Sequence, residues 1–172
     1  MLARYVGAMD ALHRFCLLVA GVCLVVITII IPWGVFTRYV LNYGSAWPEP
    51  LAVLLMIWFS FTAAALCYRE RLHISVQILP LLLQGLPRLL VGWVVELAMA
   101  GMNLFMLAWG VRLVQTTWFQ AISDFPLVSV GLSYLPVPIG GAITLLFVIE
   151  RLWTGRLYEE PAEGDLAALG LE

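Results

Sequence analysis

The sequence predicts an all-α integral membrane protein with four transmembrane helices, and three observations point there. The hydrophobic fraction is 63% and the charged fraction 12%, where a soluble domain averages roughly 45–50% and about 25%. Apart from Glu96, the few charges fall between apolar runs rather than inside them. The runs are as long as a bilayer is thick. A chain of 172 residues with this composition cannot enclose its apolar surface in one small soluble core, because small domains have too much surface for their volume. That argues against a water-soluble globular enzyme and against a disordered chain. A net charge of −2 with no lysine gives no reason to expect a nucleic-acid partner.

The first run, 15–37, holds 23 uncharged residues between Arg14 and Arg38. It is too long for the apolar part of a signal peptide and no small-residue cleavage pattern follows it, so it reads as an uncleaved anchor. The second, 51–68, holds 18 residues and ends at Arg69. The third, 89–111, holds 23 and is broken only by Glu96. The fourth lies in 125–149, with its span at about 127–149 and prolines in its first half. Helices of 18–23 residues cover about 27–35 Å, against a hydrocarbon layer of about 30 Å. Backbone amides in lipid must bond within their own segment, and the runs lack the alternation of barrel strands.

A further apolar segment, 72–87, carries Pro80 and Pro87 and places His73, Gln77 and Gln84 at i, i+4 and i+11. In a helix those three fall within about 40° of one another. Such a stripe suits an interfacial or re-entrant helix better than a short fifth span. With four spans, Arg4, Arg14, Arg69, Arg71, Arg88, Arg151 and Arg156 share one side, against Arg38 and Arg112 on the other. The positive-inside rule then puts both termini in the cytoplasm. Trp33, Trp47, Trp109 and Trp118 would form an outer aromatic belt, with Trp93 and Trp153 on the inner side. Residues 1–154 are expected to form one membrane domain, and 155–172 an acidic cytoplasmic tail.

Marks of membrane catalysis are missing from the sequence. Cys16, Cys23 and Cys67 form no C-x-x-C pair. His13 and His73 lie at the membrane edge, where they cannot hold a haem inside the spans. There is no H-E-x-x-H, G-x-S-x-G or P-loop pattern. The expectation is a non-enzyme with no cofactor and no metal.

Several polar or special residues stand out as partner-interface or structural candidates. Glu96 is the one formal charge inside a span. At about 12 Å from the Arg88 end, it reads as a polar contact to a neighbouring helix or subunit, or as an ion or substrate contact. No second acid, Arg or His is expected at its depth, which argues against a proton relay. Arg38, Asn42, Trp47 and Glu49 cluster in the loop between spans one and two, where Arg38 can snorkel to phosphates and Trp47 can anchor. Arg69 and His73, at i and i+4, close span two on the inner face. Tyr134, Pro138 and Gly140 open span four, where proline kinks a helix and glycine permits close approach.

Taken in order, R-Y-V-L-N at 38–42, Trp47 and Glu49, R-E-R-L-H-I-S-V at 69–76 and Y-L-P-V-P-I-G at 134–140 resemble the DctQ-type small permease subunit of tripartite ATP-independent periplasmic (TRAP) transporters. The resemblance covers about residues 15–152. Pro48 stands where the family commonly has a small polar residue, Pro50 where it has a second acid, and Gln77 where it often has Asp. The resemblance implies a bacterial inner-membrane subunit that packs on a large multi-span permease subunit. That larger partner carries substrate and sodium, while a periplasmic solute-binding protein delivers a small organic acid. The alternatives read from the residues are a self-sufficient small transporter or exporter acting as a homodimer through Glu96, and a membrane enzyme or redox anchor.

Overall fold

The computed structural model describes residues 2–70, 86–122 and 125–154. Residues 72–85 of the expected interfacial segment, with His73, lie outside the described residues, as does the 155–172 tail. Leu86 and Pro87 open the third long helix rather than closing that segment. Proline fits there because a first-turn amide has no helical acceptor to lose.

Four long helices dominate: α1 (Leu2–Tyr39), α2 (Pro48–Arg69), α3 (Leu86–Thr117) and, after a short α4 (Val130–Tyr134), α5 (Pro136–Thr154). Four helical stretches are long and apolar enough to cross a membrane, the last of them running through α4 and α5. The lengths of 38 and 32 residues for α1 and α3 correspond to about 57 and 48 Å. Both outrun the expected spans 15–37 and 89–111. α1 runs on through Gly7 and Pro32 without a break, because once a helix is nucleated each further residue adds a bond.

The helices run antiparallel in sequence order. The end where α1 begins and α5 finishes is called here the terminal end, and the opposite one the loop end. α1 packs on α2, α2 on α5 and α5 on α3, with α5 also touching α1. The row is thus α1–α2–α5–α3, and its flanks α1 and α3 are the least covered helices. At the terminal end all four meet around Met9, Ala65, Tyr68, Phe147 and Val148, with Met99 and Ala100 of α3 against the cluster. Cys16, Ala20 and Leu66 form a second cluster between α1 and α2. Leu17, Leu18, Val25 and Ile29 of α1, and Leu97, Met102, Leu104 and Phe105 of α3, stay exposed. Such apolar outer faces suit lipid as solvent.

The loop end departs from an all-helical reading. Ala121–Ile122 (β1) pairs antiparallel with Phe125–Ser129 (β2), Ala121 opposite Ser129. The expected start of span four, 127, therefore falls in a strand. Ser129 caps α4 by accepting from the Leu132 amide at 3.2 Å, which fixes the helix start at Val130. Pro136 and Pro138 lack amide donors, so the chain turns at Leu135 before α5 resumes. Close approach holds this end together. A Cβ at Gly110 would lie 2.9 Å from Cδ of Pro138, and one at Gly131 would lie 2.8 Å from Cα of Trp118. Only glycine fits at either place.

Candidate functional site: a buried charge layer at the terminal end

Adjacent residues on a helix point about 100° apart. On α2 and α5 this simple fact distributes four side chains among three neighbours. Tyr68 and Arg69 close α2, and Glu150 and Arg151 lie in the last turns of α5. Arg69 faces α1 and α5. Its Nη2 donates to Asp10 Oδ1 at 2.6 Å and to Glu150 Oε1 at 2.9 Å, and its Nε to Glu150 Oε2 at 3.1 Å. Tyr68 and Arg151 instead face α3. The Tyr68 hydroxyl donates to Glu96 Oε2, and Nη1 of Arg151 stands 3.0 Å from Glu96 Oε1. Both guanidiniums also sit over aromatic rings, Arg69 5.2 Å above Phe147 and Arg151 5.4 Å above Tyr68. Arg stacks in this way because its plane is weakly hydrated.

Burial grades the layer. The Glu96 side chain is 4% exposed and Arg151 19%, whereas Asp10 is 51% exposed. A third pair, His13 Nε2 to Glu70 Oε1 at 2.8 Å, ties α1 to the end of α2 nearer the surface. The Tyr5 hydroxyl adds a bond to the Leu146 carbonyl at 3.0 Å. Nε of Arg151 is buried without a hydrogen-bond partner among the described residues, while its Nη1 meets Glu96 and its plane lies over the Tyr68 ring. A buried ion pair gains little over a well-packed apolar pair, but removing one member leaves a charge without a counter-charge.

The expectation that Glu96 has no basic companion at its depth is overturned by Arg151. Counting charges along the sequence puts Arg151 beyond span four as a positive-inside marker. In the folded chain α5 runs on to Thr154, and the long Arg side chain reaches across to α3. Asp10, Tyr68, Glu150 and Arg151 are not among the candidates the sequence singles out. The available signal is the repeated pattern of a bulky or acidic residue followed by Arg at the last turn of an apolar run.

The remaining candidates divide between interior and surface. Pro138 and Gly140 are buried in α5, Pro138 against Gly110 of α3 and Gly140 against Phe61 of α2. Tyr134 is 38% exposed. Arg38 and Glu49 approach only to 4.0 Å and both are largely exposed. Trp47 caps α2 through its backbone position without a side-chain bond. Asn42 has φ +52°, the left-handed conformation that Asn tolerates. With it the Tyr43 amide bonds back to the Thr37 carbonyl at 3.0 Å and closes α1. So Asn42 serves the chain reversal.

Further along the helices the polar groups are turned inward on themselves. Thr28, Ser60, Thr62, Asn103 and Thr144 each bond a carbonyl of their own helix. Among the described residues no group of three His, Cys, Asp or Glu side chains could hold a metal ion. Such a chain has the make-up of a helical membrane component. It belongs to the family of tripartite ATP-independent periplasmic transporters, DctQ component, whose model matches residues 27–157. The resemblance drawn from the motifs is thereby established, and the chain is the small, multi-pass membrane subunit of such a tripartite system. The family is a transporter component and not an enzyme family. A search of curated proteins finds no match to the chain.

Proposed function

We propose that this subunit packs on the large permease subunit as fixed scaffold and carries no cargo of its own. In this reading it sits in the bacterial inner membrane with both termini in the cytoplasm. It supports uptake of a small organic acid, driven by an ion gradient, typically sodium, and delivered by a periplasmic solute-binding protein. The observation that carries the reading is the turning of the mid-helix polar side chains onto their own backbones. A hydrophilic solute path needs polar groups and broken helices at the membrane midplane. Glu96, the acid a homodimeric transporter would need, has both oxygens engaged within the chain.

The loop-end residues 42–49, of which Asn42, Trp47 and Glu49 are exposed, and the segment 116–124 are the proposed receptor-facing surface. His73 and Tyr134 are proposed contacts to the large subunit or to lipid. The test is reconstitution. Vesicles holding this chain with the large subunit and the solute-binding protein should accumulate the organic acid under a sodium gradient, and omission of any one should abolish uptake. Accumulation by vesicles holding this chain alone would overturn the reading.

A further inference from the structure

The charge layer divides into two sets that share no atom. Asp10, Arg69 and Glu150 join α1 to the α2–α5 pair, with His13–Glu70 beside them. Tyr68, Glu96 and Arg151 join α3 to the same pair. The two sets stand on adjacent residues of α2 and of α5, pointing in different directions. The flank helices α1 and α3 make no substantial packing with each other. We propose that α2 and α5 form a permanent core to which α1 and α3 are held by separate ionic latches, so that either flank can loosen while the other stays closed. The inference concerns the chain alone and goes beyond its role beside the large subunit.

The latches differ in the chemistry that opens them. The α1 latch is water-accessible, with Asp10 51% and Glu70 45% exposed. Exposed pairs are screened by salt, whose Debye length falls to about 3 Å at 1 M. The α3 latch is more enclosed, with Glu96 4% and Arg151 19% exposed, so salt screens it less. Among the described residues the apolar cluster around Phe147 and Val148 touches both flanks and is the feature that could force them to move together.

The experiment uses the full chain in detergent with Cys16, Cys23 and Cys67 replaced by serine, and one reporter thiol at a time. Leu12→Cys reports on α1 and Met99→Cys on α3, both partly buried against the cluster. Maleimide labelling rates measure how often each flank opens. Glu96→Gln should raise labelling at Met99→Cys by about tenfold, the factor of a lost charge-assisted bond, and leave Leu12→Cys unchanged. The swap Glu96→Arg with Arg151→Glu should restore most of the protection. Asp10→Asn, or 1 M sodium chloride with no mutation, should raise labelling at Leu12→Cys alone. If Glu96→Gln does not fold, Tyr68→Phe removes the hydroxyl bond, keeps the ring, and should expose Met99→Cys more mildly. Equal responses at both reporters to any of these changes, or no response at either, would overturn the two-latch arrangement.

Discussion

At the terminal end the helices meet through charges, and at the loop end through glycine and proline. The terminal end buries Glu96 and Glu150 and half-buries Arg69 and Arg151, paired with one another and set against aromatic faces. The loop end buries Pro48, Gly110, Gly131, Pro136 and Pro138, and its one ion pair among the described residues, Arg38–Glu49, is loose and exposed. The difference teaches where each kind of contact works. Charges can specify helix partners only where water or other charges can solvate them, and deep in lipid they are costly. Backbone-to-ring contact needs no solvation and specifies partners through shape. The bundle therefore has an end fixed by electrostatic identity and an end fixed by steric fit.

Breaking the charged end should produce the largest effect. Arg151→Met removes the counter-charge of the buried Glu96 and leaves its carboxyl, among the described residues, with the Tyr68 hydroxyl, a change that costs about 3–5 kcal/mol. It should appear as a strongly lowered melting temperature in detergent. If stability is unchanged, the pair is not holding α3. An intermediate effect is expected at the steric end. Gly110→Val adds a side chain whose Cβ alone would stand 2.9 Å from Pro138, and overpacking of this kind costs about 1–3 kcal/mol. The melting temperature should fall, and Gly101→Val should serve as the control, since nothing lies within 4 Å of a Cβ at that position. The smallest effect is expected from Glu49→Gln. An exposed pair at 4.0 Å contributes under about 1 kcal/mol, so stability should hold within error. A large loss there would mean that the loop end also depends on charge.

The four helices were legible because each signal is local. Runs such as 15–37 and 89–111 name their helices by length and hydropathy, whatever lies beside them. The loop reversal was partly legible, since Pro48 and Pro50 announce the start of α2. The β1–β2 ribbon was not, because residues 121–129 read as the approach to an apolar run and their pairing depends on a turn rather than on composition. The charge layer was half legible. Glu96 stood out by its depth, yet Arg151 looked like a surface marker, because its reach across to α3 depends on how α5 packs.

What the amino-acid order determined by itself is the four long apolar helical stretches and the apolar character of their outer faces. In lipid every segment must satisfy its own backbone, so each helix is a local consequence of its own residues. What only the tertiary structure decided is which charge meets which. Arg69 and Arg151 have the same side chain and occupy similar positions at helix ends. One serves α1 and the other α3 because packing turned their helices to face different neighbours.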